Sequence, residues 1–270
     1  MKKIIDRIFN HIGFYRNYSR KHEMYPHVHL NSEIQKALSI DTSNFKLLIN
    51  TELTKQFLLE DFSGLPESKD IFSINGKMLP CWLESDNNLE DDWLTTKSYY
   101  PLYFHIVKTF STNKSKLRVL EIGVRTGYFG VVCAKAVECS LLYVGVDPNI
   151  YVENGLELAS KSFESIRSKK INYDYVLING LSNDPHIQSS LACSGLFDII
   201  HIDGNHTLKG KIIDIYFASK FIKTDGLILL DDYNFHSDIV QNAINRAFKL
   251  QWIKSIGYIA TKRGLGVLRA

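Results

Sequence analysis

The sequence predicts an α/β fold in which a doubly wound, mostly parallel sheet of seven strands follows a mostly helical N-terminal extension. Three patterns support this prediction. From Lys116 onward, short apolar runs alternate with segments of helical periodicity, as parallel strands joined by crossover helices require. Within residues 116–130, an apolar run breaks into a glycine-spaced turn and then into a helical pattern. Near the end of the chain, Thr261–Gly264 joins two apolar runs so closely that the last two strands must be antiparallel.

The sheet region, residues 113–270, divides into regularly alternating elements. Its strands are predicted at 117–122, 141–147, 172–178, 197–203, 227–231, 252–260 and 265–269. Its helices are predicted at about 128–138, 151–167, 184–193, 207–222 and 236–249. A tight turn at residues 223–226 is predicted to lead into the fifth strand, because three polar residues there precede a glycine.

The N-terminal 112 residues are expected to supply a lid, part of a substrate pocket and a contact between copies of the chain. Residues 1–15 form a basic amphipathic pattern, which predicts a helix docked on its own protein or on a second copy, with a membrane surface or an anionic glycolipid as the alternative. Residues 31–64 predict two helices, and Asn75-Gly76 predicts the turn of a hairpin over 71–79. The acidic stretch 84–93 is predicted to be a loop or lid, and Pro101 to begin an aromatic-rich helix.

Composition restricts the class of protein. The chain has 270 residues, of which 45% are hydrophobic and 23% charged, values typical of a soluble globular protein. A net charge of +3 with no basic stripe across the sheet region argues against a nucleic-acid partner. No apolar run is long enough for a transmembrane segment. The four cysteines lack metal-ligand spacing, which predicts free thiols and a cytoplasmic location.

The glycine-spaced turn predicts a ligand site at the carboxyl end of the first sheet strand. Glu121 interrupts the apolar run there, and a carboxylate in that position needs a polar partner. Gly123 and Gly127 allow the backbone to approach a bound molecule, but Arg125 replaces the middle glycine of a dinucleotide-binding turn. The next strand ends at Asp147, where a ribose-binding carboxylate is expected; the alternative is that Asp147 caps the following helix.

Acidic residues also end the fourth and fifth parallel strands. Asp203 follows the fourth strand, and Asp231 and Asp232 follow the fifth. Because the carboxyl ends of parallel strands meet at one edge of a sheet, these carboxylates are expected to lie together. Crowded carboxylates repel one another unless they are protonated or bridged by a cation. Their oxygens predict a site for Mg²⁺ or a similar divalent ion.

The motif Val119-Leu-Glu-Ile-Gly-Val-Arg-Thr-Gly127, followed by Asp147, resembles the first motifs of class I S-adenosylmethionine-dependent methyltransferases. The resemblance covers about the last 155 residues. It implies that Glu121 lies near the methionine end of the cofactor and that Asp147 holds the ribose hydroxyls. The remaining cofactor-binding residues that it implies are Gly123, Thr126, Gly127 and Asp203.

Residues 197–206 and 230–233 are similar to two groups of metal-dependent O-methyltransferases. These are the catechol O-methyltransferases and the sugar O-methyltransferases of macrolide and aminocoumarin biosynthesis, together with the uncharacterised bacterial relatives of the second group. The resemblance implies that Asp203, Asp231 and Asp232 bind the metal.

The catalytic base is predicted from two positions at which this sequence differs from the two groups of enzymes. Sugar methyltransferases tend to have an aspartate where this chain has Asn205, which cannot accept a proton. Catechol enzymes have a lysine where this chain has His206. Because the ordinary pKa of histidine is about 6.5, His206 is predicted to act as the base beside the catalytic Asp203. The alternative is that His206 only caps or packs at the start of a helix.

Taken together, these patterns predict a methyltransferase that transfers a methyl group from S-adenosylmethionine to a hydroxyl of a sugar or another small metabolite, with Mg²⁺ assisting. Two alternatives stay open. A nicotinamide-dependent oxidoreductase would use the same type of sheet, although Arg125 and the acidic strand ends argue against it. A non-catalytic binding module with a methyltransferase fold is compatible with Asn205 in place of the expected acid.

Overall fold

The computed structural model describes most of the chain. The described residues are 31–43, 45, 48–59, 63–83, 99–150, 152, 154–170, 172–234, 237–261 and 263–270. The amphipathic helix predicted for residues 1–15 and the lid predicted for residues 84–93 lie outside this set, so both stay predictions.

The first described elements include the two helices predicted within residues 31–64, the predicted hairpin and the predicted aromatic-rich helix, and add two short helices that were not predicted. They are the helices α1 (Ser32–Ser39), α2 (Thr51–Phe57) and α3 (Ser68–Ile71), the strands β1 (Ser73–Ile74) and β2 (Lys77–Met78), and the helices α4 (Pro80–Leu83) and α5 (Tyr99–Ser111). β1 and β2 pair antiparallel, and the φ angles of Asn75 and Gly76 are 52° and 75°, as a tight hairpin turn requires. Pro101 lies in the first turn of α5, where its missing N–H costs no hydrogen bond.

The rest of the chain alternates strands and helices. The elements are β3 (Lys116–Ile122), α6 (Tyr128–Ala136), β4 (Ser140–Asp147), α7 (Gly155–Arg167), β5 (Tyr173–Asn179), α8 (Pro185–Ser194), β6 (Phe197–Ile202), α9 (Leu208–Phe221), β7 (Ile222–Leu230), α10 (Ser237–Lys249), β8 (Ser255–Ile259) and β9 (Leu265–Arg269). The seven strands after β2 form one sheet in the order β5-β4-β3-β6-β7-β9-β8. β3 to β7 run parallel, and β9 is antiparallel to both β7 and β8. The predicted fold class is therefore confirmed.

Two predicted boundaries are wrong. The turn predicted at residues 223–226 lies inside β7, which already begins at Ile222. The register with β6 shifts there, because Phe197 pairs with Ile222 whereas Ile199 pairs with Leu227, so the intervening β7 residues form a bulge. The sixth strand of the sheet domain begins at Ser255 rather than at residue 252, because the chain is still leaving α10 at Gln251, whose φ is 59°.

Successive strand residues face two separate cores. Leu117 and Val119 of β3 belong to the core that includes residues of α5, α6 and α7, whereas Leu120 and Ile122 belong to the core that includes residues of α8, α9 and α10. The described N-terminal helices join both cores, α2 the first and α1 the second. The boundary predicted between residues 112 and 113 thus separates segments that pack on one sheet, and it stays a prediction.

Two further expectations concern the surface and the thiols. Within the described ranges, every helix is too short or too polar to cross a membrane. All four cysteines are free thiols, as predicted, and Cys81 and Cys133 are buried.

Candidate active site

The candidate site lies where the strand order reverses, between β3 and β6. β4 and β5 lie on one side of this point, and β6 and β7 on the other. Hydrogen bonds keep the strand ends level: the N–H of Asp203 donates to the carbonyl of Ile122 at 2.9 Å, and the N–H of Asp231 donates to that of Ile202 at 3.1 Å. In open α/β sheets, a crevice at this position is the usual ligand site.

The glycine loop after β3 approaches the end of β6 closely. Gly123 has a φ of 93°, and a Cβ atom on it would lie 2.4 Å from the carbonyl oxygen of Asp203. Gly127 also has a φ of 93°, and Arg125, in place of the middle glycine, adopts a φ of 51°. Only glycine fits at position 123, because a side chain there would overlap backbone atoms.

Thr126 and the start of α6 offer polar groups on this loop. Thr126 is buried, and its hydroxyl has no hydrogen-bond partner among the described residues. No side chain caps the first turn of α6, which begins after Gly127. A buried hydroxyl and helix N–H groups that no side chain caps are suited to a polar cofactor.

Asp147 binds the glycine loop rather than the following helix. Its Oδ2 accepts the N–H of Arg125 at 2.8 Å, and its Oδ1 accepts the N–H of Asn149 at 2.6 Å. Burial raises the pKa of Asp147, although these backbone hydrogen bonds oppose the shift. The alternative of helix capping is wrong, because Asn154 occupies the cap position of α7. Each oxygen retains a second lone pair, so Asp147 can position the loop and still accept a ribose hydroxyl.

A narrow cleft, partly open to solvent, lies beside the glycine loop. It is lined by Tyr100, Tyr103, Glu121, Gly123, Val124, Arg125, Tyr128, Phe129, His201 and Asp203. Three of the predicted cofactor residues, Glu121, Gly123 and Asp203, thus share one cleft. Thr126, Gly127 and Asp147 do not line it, and instead form or hold the adjacent loop.

Glu121 belongs to a buried polar network beside the cleft. Tyr143 donates a hydrogen bond to its Oε2, and Nδ1 of His201 lies 3.1 Å from its Oε1. The other ring nitrogen of His201 lies 3.3 Å from the Tyr103 hydroxyl, and the ring stacks on Phe129 with centroids 4.2 Å apart. Burial raises the pKa of Glu121, although the bonds from His201 and Tyr143 lower it. The network fixes the shape of this wall and pairs both oxygens of the buried carboxylate.

The acidic strand ends meet next to this cleft. Asp203, His206 and Asp232 each place one ligand atom within 4.8 Å of the others; we call these three residues the acidic group. Asp231 is fully buried and is predicted from the sequence as a third carboxylate ligand, but it does not belong to the group. Burial raises the pKa of Asp203 well above its usual range, and the charges of Asp231 and Asp232 add to this effect. Two carboxylates and one imidazole, crowded in this way, fit a divalent cation, and the carboxylate oxygens alone suit a hard ion such as Mg²⁺.

His206 faces a carboxylate rather than the helix that follows it. Its Nδ1 lies 3.4 Å from Oδ2 of Asp232, and its side chain is partly exposed. Thr207 caps α9 by accepting the N–H of Gly210, so the alternative that His206 is the cap is wrong. Asn205, at the position of the expected acid, accepts the N–H of Thr207 at 2.7 Å. Asn205 therefore shapes the loop, and the His206 imidazole faces the acidic strand ends.

Two cations that were not predicted from the sequence lie beside the acidic group. Lys211 of α9 is completely buried, and its Nζ has no hydrogen-bond partner in the described part of the chain. Arg263 forms an ion pair with Oδ1 of Asp232. The charges of both residues lower the pKa values of Asp203 and Asp232 against the effect of burial. The sequence could have indicated Lys211, because it lies one helical turn before Asp214 next to a run of apolar residues. It could not have indicated Arg263, because that residue lies in a loop without periodicity.

Asp214 is a buried carboxylate behind the site. Its Oδ1 accepts the Ser182 hydroxyl at 2.5 Å, and its Oδ2 lies 2.9 Å from where a Cβ atom on Gly204 would be. Burial raises its pKa to about 6, from the 3.8 of an exposed aspartate, although Ser182 and Lys211 lower it. Between these two values the folded protein keeps a proton that the unfolded chain releases. The free energy of unfolding therefore falls as the pH rises through this range.

We expect Asp214→Asn to remove that pH dependence. Relative to wild type, the variant should gain about 2 kcal/mol in free energy of unfolding between pH 4 and pH 7. Each unit of pKa shift corresponds to about 1.4 kcal/mol, and the carboxyl of the unfolded chain is already partly ionised at pH 4. Urea unfolding followed by circular dichroism at both pH values measures this difference. The exposed Asp174→Asn is the control, and a constant difference between Asp214→Asn and wild type would contradict the prediction.

Comparisons with known proteins agree with this geometry. Residues 120–233 match the model of a family described as a methyltransferase domain. The O-methyltransferase TomG from Streptomyces achromogenes, involved in tomaymycin synthesis and solved in complex with SAM, is 14% identical, with a TM-score of 0.50 over 99% of this chain and 96% of TomG. CalS11, a TDP-rhamnose 3'-O-methyltransferase of calicheamicin biosynthesis, is 13% identical, with a TM-score of 0.50 over 62% of this chain and 77% of CalS11. No curated protein matches the sequence.

At these identities the structural likenesses show a shared fold, and the family match adds the type of domain. That domain spans the glycine loop, Asp147 and the acidic strand ends, which are the features that predicted it. The match disfavours the nicotinamide-dependent alternative. The family match and the seven-stranded fold together show that the chain carries a methyltransferase domain over residues 120–233.

Proposed function

We propose that this methyltransferase acts on a hydroxyl group of a sugar or another small metabolite, with assistance from a divalent metal. The observation that carries the proposal is the position of the acidic group, which lies at the sheet edge next to the glycine loop. A site for a cation thus adjoins the expected site of the methyl donor, and Asp203 belongs to both.

In this proposal the glycine loop and the strand ends bind the cofactor. S-adenosylmethionine supplies a methyl group on a positively charged sulfur. The loop from Gly123 to Gly127 would surround it, with Thr126 as a hydroxyl partner and Asp147 as the acceptor of the ribose hydroxyls. Glu121 is held by Tyr143 and His201, and its negative charge would face the methionine end of the cofactor.

The acidic group would prepare the acceptor. Asp203 and Asp232, with Asp231 behind them, would hold a divalent ion such as Mg²⁺, which supplies a positive charge that lowers the pKa of an acceptor hydroxyl. His206 would accept the proton. Because Nδ1 of His206 faces Asp232, a proton on that nitrogen leaves Nε2 as the acceptor, and the carboxylate stabilises the imidazolium that forms.

The aromatic side chains that line the cleft support the proposal of a small, ring-shaped acceptor. Tyr100, Tyr103, Tyr128 and Phe129 line it, and aromatic rings pack well against the faces of sugars and of other rings. Tyr100 and Tyr103 come from α5, so the N-terminal segment contributes to this wall. This supports the proposal that the first 112 residues supply part of the substrate pocket. CalS11 acts on TDP-rhamnose, which makes sugar nucleotides the first acceptors to test.

The test is methyl transfer from methyl-labelled S-adenosylmethionine to sugar nucleotides, free sugars and catechols. We expect labelled O-methyl product with one of these classes, a rate at least about tenfold lower after chelation with EDTA, and recovery with added Mg²⁺. An unchanged rate in EDTA would remove the metal from the proposal. Product labelled on nitrogen or carbon would contradict O-methylation, and cofactor binding without turnover on any acceptor would favour the binding module.

A further inference from the structure

The acidic group carries its own cation at the place where a divalent ion would bind. We infer that Arg263 competes with the divalent ion for Asp232 and thereby keeps the metal affinity of the free enzyme low. This inference rests on the metal site of the proposed function. It adds a residue that controls when the site is loaded.

The backbone around Arg263 is fixed beside Asp232. The N–H of Asn234 donates to the carbonyl of Arg263 at 2.7 Å, and the N–H of Tyr233 donates to that of Gly264 at 3.2 Å. These bonds tie the β8–β9 connection to the two residues that follow Asp232. Arg263 is only 8% exposed, so its guanidinium group is not a mobile surface charge. Its ion pair with Asp232 is therefore part of the folded structure when no ion is bound.

Both oxygens of Asp232 already face a partner. Oδ1 forms the ion pair with Arg263, and Oδ2 lies 3.4 Å from Nδ1 of His206. A divalent ion such as Mg²⁺ binds carboxylate oxygens at about 2.1 Å. An ion at Asp232 would thus lie a few ångströms from the guanidinium group, and two like charges repel strongly at that distance in a partly buried site.

Arg263, rather than Lys211, is the cation that can be displaced. Lys211 lies within α9 and is completely buried close to Asp203, Asp214 and Asp232, so its ammonium group has little room to move. Arg263 belongs to a connection between two strands, and its long side chain can change rotamer without unfolding an element. Lys211 would thus offset part of the negative charge of the carboxylates permanently. Arg263 would offset it only until a divalent ion binds.

The test is Mn²⁺ binding to the full chain, without cofactor or acceptor, measured by electron paramagnetic resonance. We expect Arg263→Gln to lower the Mn²⁺ dissociation constant at least about tenfold, because it removes the repelling charge. Arg263→Lys keeps the charge and should stay near wild type. Arg269→Gln is the matched control, since Arg269 lies on β9 and donates to the carbonyl of Asp225, outside the acidic group.

An unchanged or weaker Mn²⁺ affinity in folded Arg263→Gln would overturn the inference and leave the proposed function intact. Absence of Mn²⁺ binding in both wild type and variant would overturn the inference together with the metal role. A second measurement uses the wild-type chain alone. The Nε–H resonance of Arg263 in ¹⁵N-labelled protein, assigned with Arg263→Lys, should shift when Mg²⁺ is added, and a resonance that stays in place at saturating Mg²⁺ would overturn the inference.

Discussion

Replacing His206 with alanine is expected to lower kcat for methyl transfer by about 10²- to 10⁴-fold, which is the usual contribution of a positioned base. The reason is its geometry: Nδ1 faces Asp232, and the side chain is partly exposed at the acidic strand ends. The dissociation constant of S-adenosylmethionine should stay nearly unchanged, because the glycine loop and Asp147 remain intact. Single-turnover kinetics and isothermal titration calorimetry measure the two quantities.

A metal-binding measurement separates the two roles open to His206. The residue shares the acidic group with Asp203 and Asp232, so it is also placed to bind an ion. If His206 acts only as a base, His206→Ala should bind Mn²⁺ about as tightly as wild type and have a low kcat. If His206 is a metal ligand, the variant should bind Mn²⁺ weakly, and excess metal should restore its kcat. The control is His186→Ala, an exposed position in α8. Full turnover in His206→Ala would remove the residue from the mechanism.

The second large effect is expected from Gly123→Ala. The added methyl group would lie 2.4 Å from the carbonyl oxygen of Asp203, and the strained φ of 93° adds to the cost. Because this neighbour is backbone held by a strand hydrogen bond, relaxation would separate the ends of β3 and β6. We expect a loss of at least about 3 kcal/mol in free energy of unfolding, together with loss of cofactor binding. Urea unfolding and calorimetry with S-adenosylmethionine test both.

Two other glycines separate the causes of this effect. Gly76 has a φ of 75°, but a Cβ atom on it would have no neighbour within 4 Å, so Gly76→Ala measures the backbone strain alone, about 1 kcal/mol. Gly64 has neither feature, and Gly64→Ala should change stability by no more than about 0.5 kcal/mol. A cost at Gly123 equal to that at Gly76 would show that the close approach to Asp203 is unimportant.

The sheet was predictable because its pattern is local. Alternating apolar runs and helical segments determine parallel strands, and the short connection before β9 determines its direction. Glycine at positions 123 and 127 and acids at the strand ends indicated a ligand site, because open α/β sheets bind their ligands outside the carboxyl ends of the strands. The two wrong boundaries lie at the β7 bulge and after α10. In the first case the strand's start depends on pairing with β6, and in the second on the left-handed conformation of Gln251, rather than on local residue preferences.

The sequence by itself determined the α/β class, the direction of each sheet strand and the sheet edge that carries the acids. Only the tertiary structure decided which side chains meet there. It brought His206 into the acidic group in place of Asp231, bonded Asp147 to the glycine loop, and set Arg263 against Asp232. The physical reason is that these contacts join residues from different elements and loops. The hydrophobic periodicity of the sequence does not indicate such pairs, because they form only when the elements pack together.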